Sequence, residues 1–91
     1  MTDWFARGCI EEDEFRKEID LLRETYPQID AVHRSITTTL SENPRAGERL
    51  EYSNEYWVFL TDSVEDVPTF WVLYRFDTQN VYLASIKEAT R

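Results

Sequence analysis

Histidine and cysteine, the residue types most often used for acid–base and nucleophilic chemistry, are scarce in this 91-residue chain. There is one histidine, His33, and one cysteine, Cys9, and they lie far apart in the sequence. A metal centre or a Cys–His pair needs several partners at a defined spacing, which these two residues do not provide. We therefore expect no metal and no cofactor, and we interpret His33 as a partly buried residue on the flank of a helix. The acidic run EEDE at 11–14 fits the solvated first turn of a helix better than a cation site.

The charge of the chain also limits its function. The formal net charge is −8, and acidic residues outnumber basic ones in both halves of the sequence. Nucleic-acid-binding proteins usually carry a basic patch that displaces counterions from phosphates. We therefore expect no direct nucleic-acid binding and consider a basic protein a better partner. A single cysteine cannot form an internal disulfide, which fits a cytoplasmic location.

The hydrophobic pattern predicts two helices followed by strands. The segments at 11–27 and 28–44 carry apolar residues at helical spacing, and Pro27 and the Asn43-Pro44 pair end them. The predicted core positions are Phe15, Ile19, Leu22 and Tyr26 in the first helix and Ile29, Val32, Ile36 and Leu40 in the second. After the turn NPRAG the pattern indicates a short strand, a turn at Ser53-Asn54, and a strand at 56–61. A polar loop at 62–68 and strands at 69–77 and 80–88 follow, with Asp77 to Asn80 as the turn between these strands.

This order predicts a single α+β domain over residues 1–91, in which a helical hairpin packs on a small antiparallel sheet (α-α-β-β-β-β). Strand residues alternate between the two faces of a sheet. We expect Tyr56, Val58 and Leu60, and also Phe70, Val72, Tyr74 and Phe76, to face the helices. The opposite face would then carry Trp57, Phe59, Thr61, Trp71, Leu73, Arg75 and Asp77. Two helices can cover only one face, so we predict a binding patch of Trp57, Phe59, Trp71 and Arg75 on the other. Alternatively, the C-terminal residues or a second copy of the chain cover these aromatic side chains.

The ordered set LSENPRAGERL, YWVFL and FWVLYRFDTQNVYLASI, placed after two helices, resembles the RelE/ParE superfamily of bacterial type II toxin–antitoxin systems. The resemblance extends over roughly residues 12–87. It implies a toxin that is silenced by a small antitoxin protein. RelE-like members cleave mRNA in the ribosome without a metal, and ParE-like members poison DNA gyrase.

Several positions depart from the pattern of the RelE-like nucleases. Trp57 and Phe59 stand where lysines are expected, and Trp71 stands where an arginine is common, just before Val-Leu-Tyr. The resemblance leaves four basic residues as candidates for a shifted catalytic set: Arg49, Arg75, Lys87 and Arg91. Arg49 and Arg75 match basic positions of the family, although the match gives neither of them a catalytic role.

We therefore expect a toxin-like protein that acts mainly by binding proteins, rather than an enzyme. Its partners would be a cognate antitoxin and a cellular target such as DNA gyrase or the ribosome, with no membrane association. A homodimer through the aromatic face is also compatible with the sequence. Two alternatives remain open at this point: a ribosome-dependent mRNA endonuclease that uses the shifted basic set, and a degenerate, non-toxic family member.

Overall fold

The computed structural model describes residues 7–51, 53, 55–62 and 67–89. Its elements, in chain order, are β1 (Gly8–Glu11), α1 (Asp13–Thr25), α2 (Ile29–Glu42), a 3₁₀ turn (Pro44–Ala46), β2 (Glu48–Arg49), β3 (Trp57–Leu60), β4 (Phe70–Phe76) and β5 (Asn80–Glu88). The described residues therefore contain two helices and a five-stranded sheet, which confirms the α+β class. The prediction of four strands was wrong.

The additional strand, β1, lies at one edge of the sheet, whose order is β1-β5-β4-β3-β2. β1 pairs in parallel with β5, and the other strand pairs are antiparallel, so the sheet is mixed. The segment Gly8–Glu11 has only two apolar residues and pairs with a strand about 70 residues later in the chain. A short segment of this kind has no visible period, which is why sequence reasoning missed it. Glu11 consequently belongs to a strand, and α1 begins at Asp13.

The core lies between the two helices and one face of the sheet. The helices contribute Phe15, Ile19, Ile29, Val32, Ile36 and Leu40, all buried, as their spacing predicted. The sheet contributes Phe70, Val72, Tyr74, Val81, Leu83 and Ile86, which are also buried. Leu22 and Tyr26 are half-buried and pack against this core. The helical hairpin thus covers one face of the sheet, and we call the opposite one the open face.

The turn between β4 and β5 forms as the sequence predicts. The Asp77 carboxylate accepts hydrogen bonds from the backbone N–H groups of Gln79 (2.8 Å) and Asn80 (2.7 Å). These two bonds lower the pKa of Asp77, because they stabilise its ionised form. The other turn predicted from sequence, at Ser53-Asn54, includes Asn54, which lies outside the described residues, as do residues 63–66 of the predicted polar loop.

Candidate functional site

The strand register defines which side chains share the open face. Val58 lies opposite Leu73, and Leu60 lies opposite Trp71. Directly opposed residues in a sheet point to the same side, so these four side chains form one apolar group. The pairings of β5 and β1 extend the face along the sheet. Its members are Ile10, Val58, Leu60, Trp71, Leu73, Arg75, Tyr82, Ser85 and Lys87.

The predicted orientation of β3 was wrong. Trp57 lies opposite Tyr74, and Phe59 lies opposite Val72, so both aromatic side chains point towards the helices. Both are half-buried and pack against the core, and Thr61, which was expected on the open face, is buried. Val58 and Leu60, which were expected in the core, face outward instead.

The physical reason for this orientation is the size of the side chains. Both faces of β3 are apolar in sequence, so alternation alone could not decide between them. Aromatic rings remove more apolar area from water than Val58 and Leu60 would. The ring of Trp57 also packs 5.4 Å from the ring of Phe76, centroid to centroid. Of the predicted patch of Trp57, Phe59, Trp71 and Arg75, only Trp71 and Arg75 are on the open face.

The most exposed apolar group of the open face is the pair of Leu60 and Trp71. Each residue is 45% exposed although it belongs to a strand of the sheet. Ile10, further along the same face, is 43% exposed. Large apolar side chains that lie side by side in water are uncommon on a monomeric protein and usually mark a contact surface. Trp is also the residue type that most often dominates binding energy when it becomes buried.

Arg75 on the open face is engaged by neighbouring side chains. Its Nη2 lies 3.1 Å from Glu12 Oε2, and its guanidinium carbon lies 4.3 Å from the centroid of the Tyr82 ring. Although partial burial disfavours the charged form, the Glu12 carboxylate raises the pKa of Arg75. Arg75 is therefore held as part of a Glu12–Arg75–Tyr82 stack, and its charge is balanced locally.

Lys87 is engaged in a similar way at the other end of the face. Its ammonium group forms an ion pair with Glu18 of α1, and this contact raises the pKa of Lys87. Glu18 also accepts hydrogen bonds from the backbone N–H of Ile86 (2.8 Å) and from Ser85 Oγ (2.9 Å). β1 pairs with β5 only as far as Leu83, so the Glu18 carboxylate takes the place of an edge strand beyond that point.

Three of the four basic residues of the alternative catalytic set, Arg49, Arg75 and Lys87, do not come together in the described structure. Lys87 lies opposite Trp71, and Arg75 follows Trp71 by four residues along β4. The positions of Lys87 and Arg75 are therefore separated by about 13 Å along the sheet. Arg49 lies opposite Trp57, so its position belongs to the helix-covered face at the far edge of the sheet. Arg91 lies outside the described residues. A phosphate group could not contact the side chains of Arg49, Arg75 and Lys87 simultaneously in this arrangement.

A cleft of about 730 Å³ lies beside the Leu60–Trp71 pair at the β2 edge of the sheet. We call it the edge cleft. Its lining consists of residues 46–51 on one side and Val58, Phe59, Leu60 and Trp71 on the other. Sequence reasoning missed this feature because Leu60 was expected in the core. The short length of β2 is the signal that could have indicated an uncovered edge.

The edge cleft is shaped by close backbone packing at Gly47. A Cβ atom at this position would lie 2.4 Å from the carbonyl oxygen of Val58 and 2.8 Å from Tyr74 Oη. Any larger residue would therefore push the chain away from β3. The absence of a side chain allows Gly47 to approach the Val58 carbonyl and the Tyr74 hydroxyl closely.

His33 and Cys9 occupy the opposite edge of the sheet and form no catalytic pair. His33 Nε2 forms a hydrogen bond with the Glu11 carboxylate of β1, and the centroids of the His33 and Phe15 rings lie 5.8 Å apart. The Cys9 thiol lies 3.7 Å from the carbonyl oxygen of Thr37, and burial raises its pKa. These contacts connect α2 to β1. Among the described residues, no group of three or more His, Cys, Asp and Glu side chains could hold a metal ion.

Comparisons with known proteins give no family for the chain. No protein-family model matches it, and no curated protein is significantly similar to it. In the part of the chain that the structure describes, no helix is long and apolar enough to cross a membrane.

Proposed function

We propose that this protein is a protein-binding module whose open face holds a partner chain. The observation that supports this proposal best is the exposed Leu60–Trp71 pair beside the edge cleft. The basic residues of the same face, Arg75 and Lys87, are each paired with a glutamate. The face therefore offers apolar area with locally balanced charge, which suits a protein surface better than a phosphate backbone.

More specifically, we propose that the protein is the RelE/ParE-like toxin component of a type II toxin–antitoxin module and acts in the cytoplasm. The order of sequence elements that resembles the family supports this, together with a helical hairpin on a sheet that has one open face. The partner would be a cognate antitoxin, and a cellular target such as DNA gyrase would be a second partner. Both contacts would be protein–protein contacts.

Three observations argue against an mRNA endonuclease. Arg49, Arg75 and Lys87 lie on different faces or far apart, the two on the open face are each paired with a glutamate, and the chain carries a net charge of −8. Metal-independent cleavage of RNA requires cationic groups close to one phosphate, where they stabilise its developing charge. Arg49, Arg75 and Lys87 do not provide such a group in the part of the chain that the structure describes.

The proposal is tested by expressing the protein alone and together with the product of the adjacent open reading frame. We expect induction of the protein alone to slow growth, and co-expression to restore growth and yield a complex that co-purifies. Normal growth on induction together with the absence of a complex would contradict the proposal. Cleavage of translated mRNA above background in a reconstituted ribosome assay would instead support the endonuclease alternative.

A further inference from the structure

The cover that the helices provide on their side of the sheet ends near the last residue of β4. Tyr74 is fully buried on that side, whereas Phe76, two residues further along the strand, is only half-buried. Trp57 of β3 is half-buried beside it, and the centroids of the two rings lie 5.4 Å apart. The rings of Phe76 and Trp57 therefore form an aromatic surface that the helices leave partly uncovered.

Three arginines surround this aromatic surface. The guanidinium carbons of Arg7 and Arg45 lie 5.9 and 5.6 Å from the centroid of the Phe76 ring. Arg49 lies opposite Trp57, which places its side chain on the same side of the sheet. Arg7 approaches from the β1 side, because it directly precedes β1, and Arg49 belongs to β2 at the other edge. We call these three arginines and two rings the arginine–aromatic row.

The positive charge of the row is not balanced in the way that it is on the open face. None of the ion pairs within the described residues includes Arg7, Arg45 or Arg49. Asp77 is close in sequence, but its carboxylate accepts hydrogen bonds from the backbone of its own turn and from Tyr82. Within the described part of the chain, the row therefore presents guanidinium groups without an acidic partner.

Two hydrogen bonds hold Arg7 in its place in the row. Its backbone N–H donates to Ser41 O (3.0 Å), and its Nε–H donates to Asp77 O (2.8 Å). A guanidinium group has five N–H donors, so this contact through Nε leaves the Nη donors for another group. A guanidinium that is fixed over an aromatic ring suits a carboxylate, which accepts two parallel hydrogen bonds from it.

The length of the row selects a peptide segment rather than a single small anion. Phe76, Trp57 and Arg49 lie on the neighbouring strands β4, β3 and β2, which together span about 10 Å. Arg7 extends the row beyond Phe76. In an extended segment, side chains four residues apart lie on one face and are separated by about 13 Å. An acidic residue at each end, with an apolar residue between them, therefore matches the arginines and the rings.

The net charge of −8 limits the number of negative charges that the row attracts. At physiological ionic strength the Debye length is about 8 Å, so the arginines outweigh the more distant acids only for a ligand with few charges. A nucleic acid carries a phosphate at every nucleotide and would bring many charges towards an acidic protein. This balance favours a short acidic segment of a partner protein that is basic elsewhere.

We propose that the arginine–aromatic row binds a short acidic segment of a partner protein, in which two carboxylates flank an apolar side chain. The carboxylates pair with the arginines of the row, and the apolar side chain covers Phe76 and Trp57. This inference rests on the proposed function only in taking a protein as the partner. It adds a second contact surface, on the side of the sheet opposite to the open face, and the chemistry of the segment that binds there.

The test is an NMR titration of the intact protein with three synthetic peptides that have blocked ends. The first is Gly-Glu-Thr-Phe-Thr-Glu-Gly, the second has glutamine in place of both glutamates, and the third has alanine in place of phenylalanine. We expect the first peptide to shift the signals of the Trp57 indole N–H and the Arg7 Nε–H, and to leave the indole signal of Trp71 unchanged. Each of the other peptides should bind at least about fivefold more weakly.

Single variants test which arginines bind the peptide. Arg45→Gln and Arg49→Gln should each weaken the first peptide at least about threefold, because each removes a cation from the row. Arg34→Gln is the matched control, since Arg34 is exposed on α2 and takes part in none of the described ion pairs. This control should change the affinity less than about twofold. Thermal unfolding checks that each variant is folded.

Four results would overturn the inference. Equal affinity of the glutamate and glutamine peptides would show that the arginines do not select carboxylates, and no binding of either would exclude the row as a docking surface. Tighter binding of a short single-stranded oligodeoxythymidylate than of the glutamate peptide would identify a nucleic-acid surface. Shifts of Trp57 that grow with protein concentration in the absence of peptide would indicate a second copy of the chain as the occupant.

The same variants distinguish this inference from the proposed function. If the product of the adjacent reading frame loses affinity for Trp71→Ala but binds Arg45→Gln and Arg49→Gln as tightly as the unmodified protein, the inference is wrong and the proposed function stands. If that product binds no form of the protein but the glutamate peptide shifts Trp57, the toxin–antitoxin proposal fails and the arginine–aromatic row stands.

Discussion

At the scale of single residues, Tyr74 connects the core of the domain to the edge of the sheet. It is fully buried, and its hydroxyl group donates to the carbonyl oxygen of Pro44 (2.6 Å). The same hydroxyl accepts a hydrogen bond from the N–H of Gly47 (3.1 Å). Burial raises the pKa of Tyr74, so the phenol stays protonated and can fulfil both roles at neutral pH. Tyr74 thereby fixes the chain segment that enters β2 and lines the edge cleft.

Replacing this hydroxyl group should destabilise the domain. Tyr74→Phe keeps the ring but leaves the Pro44 carbonyl and the Gly47 N–H without their partner. Leaving buried polar groups unsatisfied costs about 1–3 kcal/mol, and we expect a loss of this size in the free energy of unfolding. Urea denaturation measures it, with Tyr82→Phe as the control, because among the described residues the Tyr82 hydroxyl bonds to the exposed Asp77 carboxylate alone. Equal stability of Tyr74→Phe and the unmodified protein would contradict this role.

At the scale of secondary-structure elements, the sheet has two edges that are completed in different ways. At the β1 side, β1 covers β5 up to Leu83, and the Glu18 carboxylate satisfies the N–H of Ile86 beyond it. At the β2 side, Glu48 and Arg49 cover only part of β3. β5 is thereby completed as far as Ile86, whereas β2 covers β3 only at Trp57 and Val58.

The first edge should weaken in acid. Burial alone would raise the pKa of Glu18, but hydrogen bonds from Lys87, the Ile86 N–H and Ser85 lower it. A carboxylate with a lowered folded-state pKa stabilises the fold above its unfolded-state pKa, and this contribution disappears as pH falls through the folded-state value. Glu18→Gln should therefore cost about 1–3 kcal/mol at pH 7 and less at pH 3.

Urea denaturation of the Glu18→Gln variant at both pH values checks this prediction. Glu24→Gln serves as the matched control, because Glu24 is exposed on the same helix and takes part in none of the described ion pairs. A loss of stability that is identical at pH 7 and pH 3 would show that the charge of Glu18 is not responsible.

The sequence determined the helices far better than the sheet. The spacing of Phe15 and Ile19, and of Ile29 and Ile36, identified the buried helix faces correctly because a helical stripe contains only local information. β1 could not be found, because its only partner is a distant strand. The faces of β3 were assigned incorrectly, because both faces are apolar and the register is set by pairing with β4. The error moved the candidate surface from Trp57 and Phe59 to Leu60 and its neighbours.

At the scale of the whole molecule, an acidic chain presents one helix-covered face and one apolar, locally neutralised open face. The apolar residues of the helix-covered face are buried in the core. The open face has no comparable internal cover among the described residues, although Trp71 and Leu60 are each nearly half exposed. A partner that buries these side chains would remove their apolar area from water, and this removal is the main source of stability in protein complexes. A basic partner should also associate faster at low salt.

The most direct test of the central claim is the affinity of the Trp71→Ala variant for the purified product of the adjacent open reading frame, measured by isothermal titration calorimetry. Leu21→Ala is the matched control, because Leu21 is 65% exposed on α1, away from the open face. We predict that Trp71→Ala weakens binding at least about tenfold, or about 1.4 kcal/mol, and that Leu21→Ala changes it less than about twofold. Unchanged affinity of a correctly folded Trp71→Ala protein would contradict the assignment of the open face as the binding surface.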